Sequence, residues 1–213
     1  MDTVQLIVHR TVCEMVTTRG PGQRAGLTHA GIIRAARALL SEGDHELLSL
    51  RAVARRLGVA PNALYSHVPS KTALLDDVLD DVLASVVAPD PDLDDPTAGL
   101  HAVMASTYAI LEAHPDLVPL YQARQGVRGP NAVRLGHVMD ALLSRAGVDP
   151  AAIPQARRVL IIHTIGSAAF ATASRDGERQ RVPADDVRRS FSKSLQWLLD
   201  GIVASHGAGL ASP

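Results

Sequence analysis

One stretch of this chain leaves few choices of fold: residues 48–75 read LSLRAVARRLGVAPNALYSHVPSKTALL. The pattern is that of three short helices joined by two tight turns. Ser49 and Ser70 stand at N-cap positions, where a hydroxyl accepts from a free backbone N–H. Gly58 suits a left-handed cap after a helix over 50–57, and Pro61 suits a first helical position, where no N–H is needed. Leu48 with Val53 and Val59 with Leu64 have the spacing of hydrophobic staples, which set the angle at which the chain enters a helix. The same spacing links Leu27 to Ile32 around Thr28, the expected cap of a helix running to about Ser41 and ended by Gly43. A helix as short as 61–68 is too weak to stand alone, so its neighbours must hold it. A propped, protruding helix after a three-residue turn is suited to the major groove of DNA.

Leu64 and Val68 lie one turn apart and are expected to face the core. Asn62, Ala63 and Ser66 then point outward, with Tyr65 and His67 on the flanks. Asparagine can make paired hydrogen bonds to adenine, serine reads adaptably, and alanine offers a methyl to thymine. The polar ends of Tyr65 and His67 suit phosphate oxygens; the plainer readings are packing against the first helix for Tyr65 and simple exposure for His67. Lys71 opens a fourth helix, expected to reach about Val87, and can bring its ammonium to a phosphate. Arg51 is placed to reach a phosphate or a guanine edge, and Ser49 to touch the backbone while capping. One such head binds weakly. Two on a symmetric dimer would meet half-sites about one helical turn apart, on an imperfect palindrome.

Charge supports this orientation. Residues 24–71 carry seven Lys/Arg and three acids, a balance of +4, whereas residues 72–121 carry ten acids and no Lys or Arg. A basic head on an acidic body turns the head toward polyanions. The single cysteine, Cys13, excludes an internal disulfide and fits a reducing cytoplasm. The apolar runs are too short to span a membrane, and MDTVQLIVHR lacks a secretory layout. No phosphate-cradling glycine loop, zinc cluster or nucleophile motif points to an enzyme, and no metal or cofactor is expected.

Period-3.6 patterning dominates, so the chain reads as all-α. On the fourth helix Asp76, Asp77, Asp80 and Asp81 read as hydrated carboxylates on an outer face. APDPDLDDP (88–96) breaks the chain between a head and a body with helices expected at about 97–113, 115–123, 130–146, 151–174 and 183–205. A polar loop is expected at 175–186. The helix around 159–173 is apolar almost all round, with Gly166 allowing close approach, and must be buried against its own body or a partner. Phe191, Leu195, Leu198, Leu199 and Ile202 recur at helical spacing in the last helix. These residues and Gly166 are the candidate dimer interface, half of an intersubunit four-helix bundle; an internal bundle is the alternative. Met104, Tyr108 and Leu111 share one helical face, and Tyr121, His137, His163 and Phe170 come from later helices. Together they suit an apolar cavity with a few polar handles for a small molecule, although each alone also suits an ordinary core.

LTHAGIIRAARALLSEG followed by residues 48–75 resembles the N-terminal domain of the TetR family of bacterial transcriptional regulators over about sixty residues. The LYxHVxxK element, Leu64, Tyr65, His67, Val68 and Lys71, is its most specific part. AHPDLVPLYQARQGVRGPNAVRL (113–135) looks like the body of the tetracycline-repressor-like branch. The resemblance implies a three-helix helix-turn-helix domain (27–72), a helical ligand-binding and dimerisation domain (73–213), and an extension (1–26) in which Arg19 and Arg24 could form a DNA-touching arm. It implies a homodimer on a double-stranded operator, released by a small-molecule inducer. Arg51, Pro61, Asn62, Ala63 and Ser66 would face bases, and Ser49, Tyr65, His67 and Lys71 the backbone. The competing class is a helical adaptor that binds protein rather than DNA.

Overall fold

The structure is a computed structural model that describes residues 26–42, 48–124, 129–172 and 182–207. The expected N-terminal arm, the helix end at Gly43 and most of the polar loop lie outside the described residues. Those that are described form helices and connections, with no strand among them.

The head is built as its caps dictate. Helix α1 (His29–Ser41) starts where Thr28 Oγ1 accepts from Gly31 N at 3.1 Å. Helix α2 (Leu50–Leu57) starts where Ser49 Oγ accepts from Ala52 N at 3.1 Å, and stops at Gly58, whose φ of 67° is left-handed. Helix α3 (Pro61–Leu64) begins on its proline, and α4 (Lys71–Leu83) on the Ser70 cap. Ile32, Ala36, Leu40, Val53, Leu64, Val68 and Leu74 are fully buried between these helices.

Helix α3 is shorter than the sequence pattern suggested. Regular helix ends at Leu64 and a turn carries the chain through His67, with His67 N on Leu64 O at 2.9 Å and Val68 N on the same oxygen at 2.8 Å. Pro69 explains the stop, because a proline disfavours helical backbone at the residue before it.

The body comprises α5 (Pro96–Ala113), a 3-10 turn (Pro115–Leu117), α6 (Val118–Ala123), α7 (Pro130–Arg145), α8 (Ile153–Thr172) and α9 (Ala184–Gly207). Helix α5 packs on α7, α8 and α9, and α8 packs on α9. Helix α4 belongs to both halves: it packs on α1 in the head and on α7 in the body.

Its four aspartates are not the hydrated outer face expected of them. Asp77 pairs with His29 at 2.8 Å, Asp81 with Arg37 at 3.0 Å, and Asp76 takes a forked contact from Arg124 at 2.5 and 2.8 Å. Asp80 is buried and accepts from Asn131 N, Asn131 Nδ2 and Ala132 N at 3.1, 3.0 and 2.9 Å. It thereby caps α7 from another helix. Nearby, the Tyr121 hydroxyl donates to Leu79 O at 2.5 Å. Burial, and then the Asp80 charge, push this phenol well above its ordinary pKa, so it remains a donor.

Candidate nucleic-acid interface and ligand groove

Between the buried anchors Leu64 and Val68, the backbone turns every candidate reader outward. Pro61, Asn62, Ala63, Tyr65, Ser66 and His67 are all exposed, Tyr65 at 54%. Arg51 and Lys71 are exposed beside them, while Ser49 is half-buried and keeps its capping bond. Ser66 Oγ donates to Ala63 O at 3.0 Å, which leaves its lone pairs facing out. Among the described residues, Arg51, Arg55 and Lys71 make no ion pair, whereas Arg37 is bound to Asp81 and Arg56 to Glu42. The cations around α3 are thus the ones left for an external anion. A small convex face with an amide, hydroxyls and uncompensated cations, mounted on a rigid three-helix base, fits the major groove in width and chemistry.

The body residues divide. Tyr108 stacks on Phe191 with centroids 4.2 Å apart and planes 14° apart; His163 stacks on the same ring at 5.4 Å and 15°. Met104 lies beside them through a hydrogen bond from Thr164 to its sulfur at 3.4 Å. Burial lowers the His163 pKa, and Ser194 Oγ lies 3.1 Å from its Nε2. His163 and Phe191 line an open groove between α8 and α9, together with Ile162, Ser167, Phe170 and Ser190 among others. Leu111 is plain core, Tyr121 is engaged with α4, and His137 is exposed on α7; none of the three lines this groove.

The dimer stripe needs correction. Phe191, Leu195 and Leu199 are 4%, 0% and 0% exposed within a single chain, so they face its own core. Leu198 and Ile202 are half-buried and Gly166 is exposed. The outward apolar side chains of α8 and α9 are Ile161, Ile162, Phe170 and Trp197. The sequence reading missed Trp197 although it is the sole tryptophan, because it falls off the main stripe of α9.

Among the described residues no helix is long and apolar enough to cross a membrane, and no cluster of three or more His, Cys, Asp or Glu could hold a metal.

A helix-turn-helix head with an outward reading face, joined through α4 to a helical body, defines a DNA-binding transcriptional regulator. Residues 32–78 match the family model described as bacterial regulatory proteins, tetR family. The HTH-type transcriptional repressor DrrR1 of Streptomyces coeruleorubidus is 30% identical over 190 residues, 88% of this chain and 68% of that protein. The Streptomyces coelicolor TetR family protein ActR in complex with actinorhodin superposes with a TM-score of 0.75 at 25% identity, over 86% of this chain and 98% of that one. BioQ with its double-stranded DNA operator superposes with a TM-score of 0.66 at 27% identity, over 84% of this chain and 99% of that one. The chain belongs to the tetR family of bacterial regulatory proteins.

Proposed function

We propose that this protein is a cytoplasmic repressor that binds a palindromic operator as a homodimer and releases it when a small molecule enters the body. The observation that carries the reading is the α3 face: Asn62, Ala63 and Ser66 outward over buried Leu64 and Val68, with Arg51 and Lys71 uncompensated beside it. The likeness to a repressor, to an operator-bound regulator and to a ligand-bound one supports the three parts of the proposal. In it, residues 27–72 read DNA and residues 73–213 sense and dimerise. Arg51, Pro61, Asn62, Ala63 and Ser66 face bases, and Ser49, Tyr65, His67 and Lys71 hold phosphates. The partner is met by the outward face of α8 and α9 around Ile161, Ile162 and Trp197, with Leu198 and Ile202 behind it.

Selection of bound fragments from the source genome, followed by binding curves, tests this. Asn62→Ala is expected to relax preference at one or two operator positions, by about 1–3 kcal/mol for each base that Asn62 reads. An unaltered preference would remove Asn62 from the readers. Lys71→Ala is expected to weaken all sequences alike and to reduce the slope of log affinity on log salt by about one unit. Binding that ignores salt altogether would point instead to the protein-binding adaptor.

A further inference from the structure

The aromatic stack in the body has an unusual composition for a core. Tyr108, Phe191 and His163 come from three different helices, α5, α9 and α8, yet their planes lie within 15° of parallel to the shared Phe191 ring. Tyr108 is 3% exposed, and its hydroxyl is buried without a hydrogen-bond partner among the described residues. Leaving a buried O–H unmade costs more than the net value of an ordinary hydrogen bond, so such a group calls for an explanation. The ring that covers Tyr108 cannot supply one, because phenylalanine has no acceptor. On its other side, Phe191 meets His163 at the wall of the α8–α9 groove, where Ser167, Ser190 and Ser194 add hydroxyls. Phe191 therefore stands between an open groove and an unsatisfied phenol.

We infer that Phe191 is an internal plug, occupying the place of one ring of an uncharged, flat, fused-ring aromatic ligand that carries a hydrogen-bond acceptor. The inference rests on the ligand-responsive reading above. Such a molecule enters by the groove, displaces the Phe191 side chain, and takes over the stacking between Tyr108 and His163. Being wider than one phenyl, it also reaches the Tyr108 hydroxyl with its acceptor. The surroundings select against charge. Burial keeps the His163 imidazole neutral, and Glu112 and Arg188 next to Tyr108 neutralise each other at 2.6 Å. A flexible aliphatic chain of similar carbon count gains no stacking and forfeits more conformational entropy on binding.

The full-length protein can be titrated calorimetrically with 1,8-dihydroxyanthraquinone, with dodecanol as the flexible comparator. The anthraquinone is expected to bind and dodecanol not to compete. Phe191→Ala removes the plug and is expected to tighten anthraquinone binding about tenfold, since a rigid apolar cavity takes up a ring readily. Where that truncation prevents folding, Phe191→Leu, which keeps volume but loses the aromatic face, is expected to tighten it several-fold. Tyr108→Phe retains the stack and is expected to weaken binding about tenfold, the value of one buried hydrogen bond. A generic cavity would not respond to that last change. Equal affinity for dodecanol, or a Tyr108→Phe variant that binds the anthraquinone as tightly as the parent, overturns the plug. So does a protein that retains palindromic genomic fragments while neither it nor either Phe191 variant binds the anthraquinone. Failure of the regulator reading is separate: it shows as wild-type protein retaining no palindromic fragment, whatever the anthraquinone does.

Discussion

Asp80→Ala is expected to lower folding stability by about 2–4 kcal/mol, read as a lower urea midpoint at unchanged slope. The size follows from what the carboxylate does. Helix α7 begins at Pro130, which has no N–H, so Asn131 N and Ala132 N are the first donors needing a cap. The residue in the cap position, Gly129, has no side chain to offer. Asp80 supplies the missing acceptor from α4, with one oxygen on Asn131 N and the other on Ala132 N, and its charge opposes the positive end of the α7 dipole. Alanine leaves both donors and the Asn131 amide without this partner. Gly129 is part of the same arrangement: a Cβ there would lie 2.0 Å from Asp80 Cγ and 2.4 Å from Asp80 Oδ1. Gly129→Ala is therefore expected to destabilise strongly by itself, and less when Asp80 is already alanine, although Asp80 Cβ at 2.5 Å still limits the relief. Additive effects of the two substitutions would show that Asp80 and Gly129 are not one unit. Because α4 also packs against α1, this cap is one of the bonds that fix where the head sits on the body.

What could be read in advance, and what could not, follows the range of each interaction. The caps at Thr28, Ser49 and Ser70 and the left-handed Gly58 are local, with donor and acceptor within three residues, and all were visible in the amino-acid pattern. So was the inward pair Leu64 and Val68, since one helical turn separates them. Asp80 was misjudged because its partners are more than fifty residues away. A row of aspartates on an amphipathic helix looks solvated until the element that covers it is known. The α9 stripe failed for a related reason. Apolar spacing reports that one face of a helix is buried, not which surface buries it, and here Phe191, Leu195 and Leu199 are buried by the chain's own α5 and α8. The near-continuous apolarity of α8 was the better clue, since a helix without a polar face has something to cover on both sides. The candidate pocket was legible in composition only. Tyr108, His163 and Phe170 belong to one region, but no periodicity could link them to Phe191, which joins the stack across three helices.

Trp197→Asp is expected to make the protein a monomer at micromolar concentration and to weaken operator binding by about 10²–10⁴-fold. Ile161, Ile162, Phe170 and Trp197 are 39%, 62%, 61% and 63% exposed on two adjacent helices, which gathers large apolar side chains in one region instead of scattering them. Trp197 is the largest of them, and Lys193 Nζ lies 5.2 Å from its ring centroid, so the indole has a charged rim beside an apolar face. That is the layout of an interface anchor. In a two-fold contact each substitution is introduced twice, and a carboxylate on both sides would be desolvated without a partner. Binding then changes character. With the heads joined, the second half-site is met at the effective concentration set by the rigid dimer; with the heads separate, each must be captured from solution. Sedimentation equilibrium and fluorescence anisotropy on a palindromic fragment measure the two effects, and they are expected to move together. Val87→Asp is the matched control, because Val87 is 72% exposed but lies just after α4, away from α8 and α9. It should leave mass and DNA affinity where they are. A Trp197→Asp protein that still sediments as a dimer would move the two-fold axis off this face. One that becomes monomeric yet binds DNA undiminished would show that a single head suffices, against the physical reasoning that a small reading face needs its symmetric copy.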